Sequence, residues 1–359
     1  MMKSIYQLLN EAVAKKASDL HITPGIPPMC RVNGRLIPIG NTTVIKNDTD
    51  AFIKSILSEK QLDTLYSRGE VDASISYGDN IRFRLNAFRQ KGSYSISLRL
   101  VNHEIPNFNS LGLPSIIVDL CKQTKGLILV TGPTGTGKST TLAAMIDWIN
   151  SNRDCHILTL EEPIEYMHSH GKSIVNQREI GSDSINFTSA LRAALRQDPD
   201  VILIGEMRDL ESISIALTAA ETGHLVLSTL HTIGAAKTID RIIDVFPPYQ
   251  QPQIRTQLSL VLKGVISQQL IPTLDGNSRV VAVEVMIATP AIRNMIRENK
   301  THQIINAILT GSKAGMKTMD NSLLELYRLE KISFDEMMSY AVDLDYIKKI
   351  VSGSVVSTK

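Results

Sequence analysis

The 359-residue sequence has only three cysteines, Cys30, Cys121 and Cys155, and no two are close enough to form a CxxC pair. Neither a zinc knuckle nor a disulfide framework is indicated, and buried free thiols are expected. Aromatic residues make up 5% of the chain, too few to suggest the base-stacking channel of a single-strand nucleic-acid motor. No apolar run approaches the length of about 18 residues needed to span a membrane. The N-terminus MMKSIYQLLNEAVAKKASD also lacks the apolar stretch of a signal peptide. A cytoplasmic protein without a transmembrane segment is expected. Surplus charge is equally scarce, because 38 Lys and Arg against 36 Asp and Glu leave +2, which argues against a general polyanion partner.

What is present is an ordinary globular composition, 43% hydrophobic and 21% charged, in a chain long enough for two or three domains. The small net charge is unevenly spread. Residues 1–100 hold 14 basic and 9 acidic residues, a surplus of five, which leaves 24 basic and 27 acidic for residues 101–359, a deficit of three. Apolar spacing over Ile5–Val13 predicts a helix, SDLHIT and MCRVNGRLIPI read as strands, and a second helix is expected over 48–66. VDASISYG, IRFRLNAFRQ and SYSISLRL then alternate as antiparallel strands with breaks at Gly78-Asp79-Asn80 and Lys91-Gly92. Residues 1–100 therefore read as a small α+β domain, and the proline- and asparagine-containing stretch 101–114 as a linker.

From residue 115 the pattern changes to continuous apolar strands alternating with helices: GLILVT, HILTLE, VILIGE and HLVLSTL are separated by helical segments. Such strands predict a parallel sheet covered on both faces, an α/β nucleotide-binding core. Beyond His231 the chain reads as mainly helical, with amphipathic segments near 248–267, 290–309 and 320–350.

The strongest chemical signal is Gly132-Pro133-Thr134-Gly135-Thr136-Gly137-Lys138-Ser139, a full G-x4-G-K-S loop between an apolar strand and a helix, followed by Thr140. Its backbone N–H groups and the helix start are suited to cradle the phosphates of ATP. Lys138 is expected at the β- and γ-phosphates and Ser139 on Mg2+. Glu206 closes the apolar strand VILIGE and is the candidate base for the attacking water. Glu161, Glu162 and Glu165 follow another apolar strand, at the edge where open α/β sheets bind ligands. Glu161 is the candidate to polarise water or position magnesium, and for the other two the alternative is that of acids opening a helix after Pro163. His224 and His231 bracket the strand LVLSTL, and only His231 lies at the end expected to hold phosphate; both are candidate γ-phosphate sensors. In the basic module, Arg82 and Arg84 fall on one strand face and Arg99 on a neighbouring strand. They read either as solvated strand arginines or as fingers that neutralise transition-state charge in an adjacent subunit.

The set GPTGTGKSTT, LTLEEPIEY, LRAALRQDPDVILIGEMRD and TAAETGHLVLSTLHT closely resembles the Walker A, Asp box, Walker B and His box of the secretion-type hexameric ATPases that drive type II secretion and type IV pili. SDLHIT and RFRLNAF extend the likeness to the N-terminal domain, so it covers essentially the whole chain. The longer extension and secretion motors of that family usually carry a tetracysteine insertion, which is absent here. Pro290–Glu298 (PAIRNMIRE) with GMKTMDNSLLELY resembles the twitching-motility retraction ATPases, the PilT group. The resemblance implies a PAS-like N-terminal domain (1–100), a RecA-like P-loop core with C-terminal helices (115–359) and a homo-hexamer. It also implies ATP and Mg2+ as cofactors, an inner-membrane pilus platform protein as partner at the cytoplasmic face of the membrane, and no nucleic acid. Glu206 would activate water, Glu161 would assist, and Arg82, Arg84 and Arg99 would act across the subunit boundary. Glu162 departs from the aspartate usual in the Asp box. A pilus-extension or type II secretion motor is the alternative within the family; a nucleic-acid motor and a nucleotide-binding regulator without turnover are the alternatives outside it.

Overall fold

The computed structural model describes residues 3–32, 34–77, 81–101 and 104–356. The chain divides into two compact units, Met1–Glu104 with Ile164–Ser169, and Ile105–Pro163 with His170–Lys359.

The first unit runs α1 (Ile5–Ala14), β1 (Asp19–Ile22), β2 (Met29–Val32), β3 (Arg35–Pro38), α2 (Lys46–Ile56), α3 (Glu59–Arg68), β4 (Glu70–Tyr77), β5 (Ile81–Gln90) and β6 (Ser93–Val101). The strands form one sheet in the order β3-β2-β1-β6-β5-β4, antiparallel throughout. Period-two alternation sends Leu20, Ile22, Phe83, Leu85, Ile96 and Leu98 into the core with Leu8 and Leu9 of α1. Ser4 starts α1 with a capping box, its Oγ accepting from Gln7 N while Gln7 Oε1 accepts from Ser4 N. The single helix expected over 48–66 is two, because Ser58 makes a second capping box and restarts the chain as α3. The Gly78-Asp79-Asn80 turn lies outside the described residues.

The second unit begins α4 (Phe108–Leu111), α5 (Ile116–Cys121), β7 (Gly126–Thr131), α6 (Lys138–Asn152), β8 (His156–Glu161), β9 (Ile174–Glu179), α7 (Phe187–Ala194), β10 (Val201–Ile204), α8 (Leu210–Glu221), β11 (Leu225–Leu230) and α9 (Ala235–Asp244). It continues α10 (Gln251–Val261), β12 (Leu262–Pro272), β13 (Arg279–Ile287), α11 (Pro290–Arg297), α12 (Ile304–Thr310), α13 (Met319–Arg328), α14 (Phe334–Tyr340) and α15 (Leu344–Val356). The sheet order is β13-β12-β7-β11-β10-β8-β9, parallel except at the β12–β13 edge. Strands β7, β10 and β11 are buried at every position, as a sheet covered on both faces requires.

The region after His231 is less helical than its sequence pattern suggests. The segment 248–267 is helical only to Val261, and β12 then runs parallel to β7 and antiparallel to β13. Gly264 permits this approach, since a Cβ there would meet Met286 O at 3.0 Å and Leu120 Cδ1 at 3.1 Å. Strand β9 was likewise not expected from the sequence; it pairs its full length with β8.

Candidate active site

The register of the parallel strands brings the chemical residues to one edge. Thr131 of β7 lies beside Leu230 of β11, and Ile204 of β10 lies between Leu160 of β8 and Ser228 of β11. The residues that follow these ends are Gly132, His231, Gly205-Glu206 and Glu161, so the phosphate loop, both candidate acids and one histidine emerge together. This is the carboxyl edge at which open α/β sheets take ligands.

The loop turns out of β7 through Gly132 at φ +139°, where the next strand leaves no room for a side chain: an added Cβ would stand 2.4 Å from Gln268 O and 2.8 Å from Thr136 Oγ1. Thr136 Oγ1 donates to Pro133 O at 2.8 Å and fixes the loop's interior turn. Thr134 and Gly135 face outward. Gly137 (φ +86°) is the residue before α6, so Lys138, Ser139 and Thr140 form its first turn with backbone N–H groups directed at the loop. Lys138 is buried, and its Nζ donates to Gly132 O at 2.8 Å and Pro133 O at 2.9 Å. Gln268 of β12 also braces α6, donating from Nε2 to Thr141 Oγ1 at 2.9 Å.

Glu206 is held from two sides. Its Oε1 lies 3.0 Å from His231 Nε2, and its Oε2 accepts from Arg208 Nε at 2.8 Å. Arg208 Nη1 also reaches Glu162 Oε2 at 3.6 Å, so one guanidinium joins the acids of two strands. The hydrogen bond and charge of Glu206 raise the Arg208 pKa above its ordinary value. Gly205, before Glu206, sits close against β8: a Cβ would be 3.3 Å from Leu160 O and 3.4 Å from Glu161 Cα. Glu161 Oε1 accepts from Thr159 Oγ1 at 2.6 Å and from Gln177 Nε2 at 3.2 Å, which fixes its orientation along the strand.

The two histidines do not stay together. His224 precedes β11 at the opposite edge, where its backbone carbonyl accepts from Gly126 N and its Nδ1 lies 2.9 Å from Ala219 O. Six strand residues at about 3.3 Å each put it roughly 20 Å from the loop. The structure does not bring His224 to the phosphate loop of its own chain; its ring closes the end of α8.

In the first unit, register pairs Arg84 with Arg99 across β5 and β6, and Arg82 lies two residues before Arg84 on the same face. The three arginines therefore do share a sheet face. Arg99 Nε donates to Asp19 Oδ1 at 2.9 Å, and Arg84 Nη2 is 3.5 Å from Glu165 Oε1. Burial alone would raise the Asp19 pKa, but hydrogen bonds from Arg99 and Ser18 and the nearby positive charge outweigh it, and the carboxyl lies below its usual range. Arg293 of the Pro290–Glu298 stretch donates to Ser259 O, Leu260 O and Ala288 O, closing the end of α10. Ile292 and Ile296 are buried beneath it.

A family description reading Type II/IV secretion system protein matches residues 1–308. The chain belongs to that family. Similar members include the type IV pilus retraction ATPase PilT of Pseudomonas aeruginosa, 48% identical over 89% of this chain and 92% of that protein. A twitching motility protein of Neisseria gonorrhoeae is 46% identical over 90% of this chain and 87% of its own length. Among solved structures, the pilus retraction motor PilT with bound ADP superposes with a TM-score of 0.90 at 46% identity, covering 97% of this chain and all of that one. The family fold, an N-terminal domain followed by a RecA-like ATPase core, is the one found here, and the secretion-family resemblance of the four motifs is confirmed. Among the described residues no helix is long and apolar enough to cross a membrane.

Arg208, Gln177 and Gln268 were not among the residues expected from sequence. Arg208 had a visible signal, a cation two positions after the strand-end acid. Gln268 had none, because its strand lies in a segment with helical spacing.

Proposed function

We propose that the chain is a ring-forming ATPase that powers type IV pilus retraction and twitching motility. The observation that carries the catalytic part is the Glu206 carboxylate held by His231 and Arg208 at the sheet edge that also presents the phosphate loop. The retraction part is supported by 48% identity across 92% of the Pseudomonas retraction ATPase.

In this reading Lys138 exchanges its bonds to Gly132 O and Pro133 O for oxygens of the β- and γ-phosphates of ATP. The N–H groups of residues 135–140 and the start of α6 hold the remaining phosphate charge. The donor set fits magnesium: the Ser139 hydroxyl opens α6 beside the loop, and Glu161 and Glu206 stand at the same edge. Ser139 would hold the ion with phosphate oxygens, and the ion would neutralise charge on the transferred group. Glu206 aligns the attacking water and takes its proton. His231 at Oε1 places that carboxylate and meets the γ-phosphate side, and Arg208 at Oε2 keeps it from turning away. Glu161, fixed by Thr159 and Gln177, orients the water from the neighbouring strand. Arg82, Arg84 and Arg99, on the domain of residues 1–100, would supply positive charge to a neighbouring subunit of a homo-hexamer. Motion of these domains relative to the P-loop domains of residues 115–359 would be passed to an inner-membrane platform protein from the cytoplasmic face.

Lys138→Ala tests the whole reading. Purified protein should lose at least about 100-fold in ATP turnover, and cells carrying it should keep surface pili in excess while losing twitching. Fewer pili would assign the chain to extension instead, and DNA-stimulated hydrolysis would point to a nucleic-acid motor. Arg82→Ala rings that hydrolyse ATP at the wild-type rate would remove the cross-subunit arginines from the mechanism.

A further inference from the structure

Helix α9 begins four residues after His231, and its N-cap is Gly234, which has no side chain to satisfy the first N–H groups. The acceptors come instead from the β12–β13 hairpin. Ser267 Oγ accepts from Gly234 N at 2.9 Å, and Glu284 Oε1 accepts from Ala235 N at 2.7 Å. Ser267 and Glu284 are directly opposite each other across β12 and β13, and Ser267 lies beside Thr131, the last residue before the phosphate loop. The loop from Thr232 to Gly234 is thus anchored at one end by β11 and at the other by this pair. Thr238 strengthens the second anchor, with Oγ1 donating to Gly234 O at 2.8 Å and lying 2.7 Å from Thr232 Oγ1.

Glu284 is 4% exposed, and its strand reaches the segment just before α13. The adjacent Asp320, also buried, accepts from Val342 N at 2.7 Å and Asp343 N at 3.0 Å, which ties the same point to the start of α15. Val285 and Lys317 exchange backbone hydrogen bonds beside them.

We propose that Glu284 is a positioning residue for His231: by holding the start of α9 on a strand that is itself paired to Lys317 ahead of α13, it fixes the loop that sets the His231–Glu206 contact, and it makes that contact dependent on the C-terminal helices. This rests on the role given above to His231. A carboxylate suits the task because an N–H donor at a helix start, with its partial positive charge, points at it. Glutamine is isosteric but uncharged, so it holds the start of α9 more weakly.

The test is a double-mutant cycle on the full-length assembled protein, reading ATP turnover and the dissociation constant of fluorescently labelled ADP. Glu284→Gln should lower kcat by about tenfold, since a shift of about 1 Å in a positioning element costs up to about 100-fold. It should leave ADP affinity within about twofold, because the phosphate loop is braced separately by Gln268. Combined with His231→Ala, Glu284→Gln should have no further effect, as groups acting through one contact are not additive. Ser267→Ala, which removes only the Gly234 acceptor, should follow the same pattern with a smaller loss, and it carries the test should Glu284→Gln fail to fold. If Glu284→Gln and His231→Ala multiply, or if ADP affinity falls along with kcat, the carboxylate serves only the fold and the proposal is overturned. If His231→Ala itself turns over at the wild-type rate, the role of His231 falls and this proposal falls with it.

Discussion

Replacing Gly132 by alanine should be far more damaging than replacing Gly135, three residues along the same loop. At Gly132 two costs combine. Its φ of +139° lies well beyond the left-handed well near +57°, a region that costs a side-chain-bearing residue about 1–3 kcal/mol. The new methyl would also stand 2.4 Å from Gln268 O, a backbone atom of a strand paired on both sides. Relief requires moving β12 or the loop by about 1 Å, an overpacking cost of about 1–3 kcal/mol. The sum is roughly 4 kcal/mol, or a fall of about 8–16 °C in melting temperature for a unit of this size. Gly135 has φ +82° with nothing within 4 Å of an added Cβ, so only the left-handed cost of about 1–2 kcal/mol applies, a fall of about 2–8 °C. Thermal melting of the two variants without nucleotide, at one scan rate, makes the comparison. A Gly132→Ala protein melting within 2 °C of wild type, or a Gly135→Ala protein melting lower than Gly132→Ala, would refute the reasoning.

The thiols and one histidine give two further tests. Cys30 and Cys121 are buried and their thiols are pushed up to about 11 and about 12 by desolvation, while Cys155 is half-buried beside Ser173. A thiol reagent at pH 8 should therefore react promptly with no more than one equivalent in the native protein and with three in denaturant; two fast native equivalents would contradict the burial. Burial holds the His168 imidazole down at about 4, below its ordinary 6.5, so the folded state favours the neutral ring. That preference is fully present above pH 6.5 and is lost as pH falls toward 4, up to about 3 kcal/mol in all. Urea midpoints measured across this range should fall less steeply for His168→Gln than for wild type, and parallel slopes would count against the assignment.

Legibility in the sequence followed the range of the interactions involved. The phosphate loop, Glu206 and His231 were readable because each directly follows an apolar strand, and parallel pairing brings such ends to one edge whatever the connections between them. Glu161 was readable for the same reason. The strand direction that set His224 apart from His231 was readable too, since a parallel strand entering from a helix presents its start to the edge opposite the ligand. Arg208 needed the turn after Gly205, which folds the chain back until the guanidinium reaches Glu206 and Glu162. Gln268 and Ser267 were out of reach because LVLKGVISQQLIP carries enough helical spacing to hide a strand, and Glu284 because it lies on the strand that pairs with it. The conformation of LVLKGVISQQLIP is set by pairing with β7, 136 positions earlier at Ile266 and Val130 against 135 at Leu262 and Leu127, a register change that the bulge between Leu262 and Gly264 introduces. Pairing over such a separation leaves no local trace in composition.

The sheet order also has a consequence for synthesis on the ribosome. The phosphate loop is complete once Ser139 has been made, but β7 lies between β11 and β12, and both of those strands come from much later in the chain. The partner that closes against Gly132 begins at Leu262. At about 5–20 residues per second, the interval between Ser139 and Leu262 lasts roughly 6–25 s. During that time GLILVT, apolar up to Thr131, has an open hydrogen-bonding edge, the form of strand most prone to pair with a stranger. The growing chain thus carries its nucleotide motif long before it can close a nucleotide site, and the hairpin that ends this exposure is the same one that anchors the His231 loop.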